Sequence, residues 1–277
     1  MSKVQWPQKL ILTDSDKNVS IFIWAHQMSG YVGTFNCWTY ASYGLSAFGQ
    51  PELIITLRCR ESENIDLYPP QPIEWFKKVL SWGKEGKIID QTHTNVMEAK
   101  EVFTDLGWLA SDKEKLSYVT YAHPIPIHNF PPDLLPRDGL QGILLTENEV
   151  LLANRYGYTR ILSHLGLGSR WFPYAPWIDR DRGDCVSEAV FEGSLRGGIM
   201  PDGTYFPILK APGISVYWEG ERIILNVPPG AGDNLKAIIQ TTPPDAAWIL
   251  DSGMWRNADS GLYWSTGQQK LSYYGSP

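Results

Sequence analysis

Cysteine is scarce. Cys37, Cys59 and Cys185 are the only three in 277 residues. They are too few and too widely spaced for a disulfide scaffold, and without a Cys-x-x-Cys pair neither a zinc ribbon nor a thioredoxin-type motif is present. Such sparse, odd-numbered thiols suit a reducing compartment, so a cytoplasmic protein is expected. Long apolar runs are missing too. No stretch of about 18 apolar residues occurs, and Met1-Ser-Lys-Val-Gln-Trp-Pro7 has no apolar signal core. Neither export nor membrane insertion is expected. Positive charge is in deficit, 24 Lys and Arg against 30 Asp and Glu, for a net charge of −6. That balance gives no overall pull toward nucleic acid or anionic lipid.

Catalytic signatures are equally thin. There is no G-x-S-x-G elbow to present a serine nucleophile. Gly166-Leu-Gly168-Ser169 lacks the lysine of a phosphate loop and the spacing of a dinucleotide fingerprint, and reads as a turn after a helix. His123 and His128 flank a proline-stiffened Pro-Ile-Pro-Ile, but a metal would need a third ligand and no cysteine lies nearby. Cys185 has no histidine placed beside it by sequence and reads as a small hydrophobe. No catalytic residue, metal or cofactor is therefore assigned.

What the chain does have is apolar bulk. Hydrophobic residues make up 43% against 19% charged, with 12 Trp, 14 Tyr and 9 Phe, enough for a large core rich in β-structure. Strands are expected at Val19–Ala25, Thr34–Tyr40 and Glu52–Arg60. In the last, Leu53, Ile55, Leu57 and Cys59 recur at period two and face one core, while Ile54 implies some cover on the opposite side. Pro72 opens a helix over Ile73–Lys84 with a broad apolar face. Further strands are expected at Leu116–Ala122, Gly142–Thr146 and Val150–Asn154, and a short helix at Tyr158–Gly166. A hairpin is expected at Ile214–Trp218 and Arg222–Val227, a helix at Asp233–Ile239, and closing strands at Ala247–Leu250 and Leu262–Ser265. The fold class is α+β, mainly antiparallel sheet with a few packed helices. The proline-rich run His123–Pro136 suggests an N-terminal lobe 1–136 and a C-terminal lobe 137–277, or one continuous domain.

The sharpest local pattern is Asp179-Arg-Asp-Arg-Gly-Asp184. Its carboxylates resemble part of a calcium loop, but the glycine at position six and the later glutamate are missing, and Arg180 and Arg182 would repel a cation. It reads instead as a solvated loop whose charges neutralise one another. With Trp177 beside it, it becomes the candidate docking surface. Trp177 and Ile178 supply apolar area, and Arg180 and Arg182 supply forked donors.

Several blocks then carry a resemblance. Cys37-Trp-Thr-Tyr-Ala-Ser-Tyr-Gly-Leu45, Gly49-Gln-Pro-Glu-Leu-Ile-Ile-Thr-Leu-Arg-Cys59, Leu165-Gly-Leu-Gly-Ser-Arg-Trp-Phe-Pro173, Pro212-Gly-Ile-Ser-Val216 and Ile223-Ile-Leu-Asn-Val-Pro228 follow one another in order. Together they resemble the C-terminal domain of SARA (Smad anchor for receptor activation) and endofin, over roughly residues 35 to 265. The zinc-binding FYVE finger of those proteins has no counterpart here, so their endosomal targeting does not carry over. The helix block Pro69–Leu80 behind Glu52-Leu-x-x-x-Leu57 is also similar to Suppressor-of-fused domains, whose bacterial versions include immunity proteins. Both resemblances imply a non-enzymatic module that binds another protein, and Arg170 is expected to pack against the rings after it. The rival class is an enzyme built from His123, His128, Asp179, Asp181 and Cys185. A third is a carbohydrate or small-ligand binder using Trp171, Trp177, Trp255 and Trp264.

Overall fold

β-Branched and aromatic residues crowd the first sixty positions, and strands form there. The structure is a computed structural model. It describes residues 7–12, 18–30, 33–90, 96–109, 116–125, 127, 130–156, 158–167, 171–172 and 174–185, and then the strand segments 208–210, 215–219, 222–226, 247–251, 260–265 and 270–275. The elements begin with β1 (Gln8–Ile11), β2 (Ser20–Gly30), β3 (Gly33–Tyr43) and β4 (Glu52–Arg58), followed by helix α1 (Gln71–Lys84). Next come β5 (Met97–Glu98), β6 (Leu116–Ala122), β7 (Gly139–Thr146), α2 (Glu147–Tyr156), α3 (Tyr158–Leu167) and β8 (Trp171–Phe172).

Seven strands make one mixed sheet in the order β1-β2-β3-β4-β7-β6-β5. All neighbours are antiparallel except β4 and β7, which run parallel through Glu52–Ile54 and Gly139–Gln141. The fold is α+β. Because β7 lies between β4 and β6, this sheet runs straight across position 136, and a boundary there does not divide it.

Both faces of the sheet are covered. One face carries Ile21, Ile23, Trp38, Tyr40, Leu53, Ile55 and Leu57 against Trp75, Phe76, Val79 and Leu80 of α1. Pro72 in the first turn of α1, with Glu74 there and Lys84 in the last, suits the missing N–H of proline and the helix dipole. Leu53, Ile55 and Leu57 are fully buried, as period two requires, and Cys59 packs at the margin of the same cluster. Gly142 in β7 has a packing reason: a Cβ there would lie 2.8 Å from the Trp75 ring. The opposite face carries Trp24, Met28, Cys37, Ala41, Ile54 and Leu145 under α2, α3 and the side chains of Ile125, Ile127, Phe130, Trp171, Tyr174 and Trp177. Ile54 is therefore as deeply buried as its neighbours, which makes the second cover complete where partial cover was expected.

One element differs in kind. Val150–Asn154, read as a strand, belongs to α2. Thr146 and Glu149 form a capping box: the Glu149 N–H donates to Thr146 Oγ1 (3.2 Å), and the Thr146 N–H donates to Glu149 Oε2 (2.9 Å). Those bonds satisfy donors that a strand would have needed to pair.

Towards the C-terminus, β10 (Ser215–Glu219) and β11 (Arg222–Asn226) form the expected antiparallel hairpin, with β8 on its other side. A separate four-stranded sheet is ordered β14 (Lys270–Gly275), β13 (Ser260–Ser265), β12 (Ala247–Asp251), β9 (Ile208–Lys210). The expected helix over 233–239 lies outside the described residues, as does Arg170. Among the described residues no helix is long and apolar enough to cross a membrane.

Candidate functional site

The expected docking loop is woven into the sheet. Beyond Ile54, β7 no longer pairs with β4, and Ile178 takes the vacated edge. Its N–H donates to Thr56 O (2.7 Å), and Arg58 N–H donates to Ile178 O (2.9 Å). This placement buries Trp177, Ile178 and Arg180, the last only 2% exposed, and leaves Arg182 partly covered. Of the residues expected to form a docking surface, Trp177, Ile178 and Arg180 are thus buried and Arg182 is half-buried. Backbone pairing to β4 draws these side chains inward. Trp177 packs edge-on against Trp171 at 5.1 Å and lies 5.0 Å from Phe35, and the Arg180 guanidinium sits over the Trp108 ring at 5.8 Å.

The charges of this segment do not neutralise one another either. Asp179 pairs with Arg58 (2.9 Å) and Asp181 with Arg60 (2.8 Å), while Arg180 pairs with Glu63. Arg182 grips Glu149 through Nη1 and Nη2 (2.5 and 2.8 Å), and Nη2 also donates to Leu144 O (2.7 Å). Glu149 is fully buried. Burial pushes its carboxyl up, but the two bonds from Arg182 and the backbone N–H groups of Thr146 and Cys185 outweigh that and hold it below the ordinary carboxylate range. Asp184 accepts from Asn148 Nδ2 (2.8 Å) and from the Thr146 hydroxyl. The six residues thus clamp the chain after α3 to the tail of β4 and the start of α2.

The described residues among the parts considered for an enzyme have these surroundings. Asp179 and Asp181 are held by arginines. Burial first, then the Glu149 charge, raises the Cys185 thiol far from thiolate. His123 is exposed, with its ring pKa lowered by partial burial, and His128 lies outside the described residues. Among the described residues no group of three His, Cys, Asp or Glu could hold a metal ion. The buried histidine is His26, whose Nε2 and the hydroxyls of Thr39 and Thr56 form a chain across three strands at 2.8 and 2.9 Å. Burial holds His26 neutral, its pKa lowered to about 4. A small cleft of about 50 Å³ opens where β4 and β7 separate, beside Gln141, whose buried Oε1 has no partner among the described residues. It is room for a few waters.

A different place has the shape of a site. A groove of about 570 Å³ opens at the β1–β3 end of the sheet, on the face away from α1. Phe22, Trp24 and Tyr43 floor it, while Lys9, Asp133 and Leu134 stand at its sides. Phe22 meets Tyr43 edge-on at 5.3 Å and stacks against Trp24 at 5.9 Å. Lys9 Nζ lies 5.5 Å from the centre of the Phe22 ring, directly across the β1–β2 pair. Tyr43 donates to Leu134 O (2.7 Å) and ties the 130–135 loop to the rim.

The turn beside the groove is rigid. Gly44 adopts φ 104°, and a Cβ there would meet Asn18 O at 2.3 Å. The Glu52 carboxylate accepts from the N–H groups of Gly44 (2.9 Å) and Ser46 (3.2 Å) and from the Ser42 hydroxyl (2.8 Å). Among the described residues neither Lys9 nor Asp133 has an ion-pair partner. None of these groove residues was singled out as a site residue by sequence reasoning. The available signal was the second set of large side chains in β2, Phe22 and Trp24, out of phase with the core-facing Ile21 and Ile23. No protein-family model matches this sequence, and comparison with the curated proteins finds no match.

Proposed function

We propose that the chain is a non-catalytic protein-binding module and that its partner docks on the groove at the β1–β3 end. The observation that carries this reading is the groove itself, a preformed concavity with an aromatic floor and two charged residues, Lys9 and Asp133, that have no ion-pair partner among the described residues. Aromatic surface with a polar rim is the usual make-up of a protein interface. The clamp at 179–185 supports the reading from the other side, because its charged groups are engaged internally. The resemblance to the SARA/endofin C-terminal domain and to Suppressor-of-fused domains points the same way, toward an adaptor or a partner-neutralising role. The three cysteines are free thiols, in keeping with a reducing, cytoplasmic setting.

A photo-crosslinking amino acid tests this at Asn18, an exposed residue lining the groove, with Lys77 on the exposed face of α1 as control. A discrete protein adduct at position 18 and not at 77, whose purified component binds at micromolar affinity or better, is the expected result. Equal labelling at both positions, or no discrete adduct at 18, overturns the proposal.

A further inference from the structure

Among the described residues the edge of the sheet beside this groove is unpaired, and its hydrogen-bond parity says which groups it offers. Among the described residues β1 pairs with β2 alone. Leu12 N–H donates to Val19 O (2.8 Å), so Leu12 faces Val19 in a hydrogen-bonded pair. Counting back in twos, Leu10 with Ile21 and Gln8 with Ile23 are the bonded pairs of the ladder. Lys9 and Ile11 therefore direct their N–H and C=O groups away from β2, toward the open side. Their side chains lie on the groove face: Lys9 sits over Phe22, and Ile11, opposite Ser20, is 64% exposed. Leu10 and Leu12 pack against the core on the α1 face.

We propose that the partner supplies an extended segment that adds to β1 as a further strand, bonded to the main chain of Lys9 and Ile11, with a carboxylate side chain opposite Lys9. This rests on the reading that the groove is a protein-docking face, and it names what docks. Strand addition uses backbone bonds for affinity and side chains for choice. Natural edges are commonly guarded by lysine, which discourages indiscriminate pairing. Lys9 fills that role, since its ammonium lies over the Phe22 ring with no ion-pair partner among the described residues, and a carboxylate on the incoming strand matches it while a cation is repelled. The groove begins at Lys9, so the same segment continues over the aromatic floor. There the buried Trp24 indole N–H has no acceptor among the described residues, and Asp133 suits a basic residue further along. A second copy of this chain is the poorer occupant, because each copy brings a net charge of −6.

The probe is a pair of synthetic peptides, acetyl-Thr-Val-Glu-Val-Thr-Phe-amide and its Glu-to-Lys counterpart, titrated against the full chain by fluorescence anisotropy. The Glu peptide is expected to bind at least tenfold tighter, and Lys9→Glu to reverse the order. Ile11→Pro removes an outward N–H while leaving the β1–β2 ladder intact, since proline is tolerated where the N–H faces away. It should weaken the Glu peptide at least tenfold with the amides of Leu10 and Leu12 still protected from exchange. Equal binding of both peptides, or an Ile11→Pro variant that binds as wild type, overturns strand addition. So does a shift from monomer to dimer in sedimentation with no peptide bound, which would give the edge to a second copy. If the Asn18 adduct forms and its partner binds while neither peptide does, strand addition fails and the docking face stands. If neither the adduct nor peptide binding is seen, the docking reading fails with it.

Discussion

The clamp at 177–185 and the groove at the β1–β3 end put opposite uses on similar side chains. In the clamp, aromatic rings pack together, and Asp179, Arg180, Asp181 and Arg182 each meet a counter-charge from elsewhere in the chain. In the groove, three rings, a lysine and an aspartate line one concavity, and the ionic groups meet no counter-charge among the described residues. Composition cannot tell the two apart. What separates them is whether the fold supplies the complement: a saturated cluster stabilises, and an unsaturated one is free to recognise something else.

The comparison breaks most visibly at Glu149. The pair with Arg182 is forked, with Glu149 fully buried and the Arg182 side chain 21% exposed, so removing the carboxylate leaves a mostly covered guanidinium without its counter-charge. Glu149→Gln should therefore cost about 3–5 kcal/mol, read as a fall in the urea midpoint at constant m-value. The double variant Glu149→Gln, Arg182→Met should recover part of that loss, because the orphaned guanidinium is gone. A Glu149→Gln protein as stable as wild type would mean that the clamp is not what fastens 182–185 to α2.

A second test separates the buried polar chain on the groove face from both regions. His26 has a folded pKa of about 4 against 6.5 unfolded, set chiefly by burial beside Thr39 and under the Phe130 ring. Between those values the unfolded chain binds more protons, so this contribution is complete above pH 6.5 and is lost as pH falls to 4. The loss is on the order of 3 kcal/mol. His26→Gln should flatten the stability profile in that window by the same amount. A wild-type profile parallel to that of the variant from pH 6.5 to 4 would show that His26 is not buried as a neutral ring. Phe130 also packs on Trp24 at 5.5 Å, so protonation of His26 acts at the back of the groove floor.

What could be read in the sequence follows from how local each cause is. Period two placed Leu53, Ile55 and Leu57 in one core, and Pro72 with its apolar stripe placed α1, because those signals sit within one element. The strand reading of Val150–Asn154 failed on a local signal passed over: Thr146-x-x-Glu149 is a capping box, which starts a helix directly after β7. The burial of the expected docking loop has a non-local cause. Arg58 and Asp179 are 121 positions apart, as are Arg60 and Asp181, and no spacing rule links them before β4 and Ile178 are paired. The groove was hidden in the same way, since Lys9, Phe22 and Tyr43 converge only through the registers of β1 with β2 and β2 with β3.

The smallest expected effect sharpens the contrast within the clamp itself. Arg60 and Asp181 form a pair at 2.8 Å like the others, but half of the Asp181 side chain is open to water. Water screens such a pair and competes for both partners, so its net worth is about 0–1 kcal/mol and declines with salt. Arg60→Ala should shift the urea midpoint by no more than that in low salt and by nothing measurable in 1 M sodium chloride. The Glu149→Gln loss should persist there, because a buried pair is screened far less. An Arg60→Ala loss matching that of Glu149→Gln, and equally deaf to salt, would mean that the outer and inner pairs act as a single unit. Exposure would then no longer be what ranks the charges of this segment.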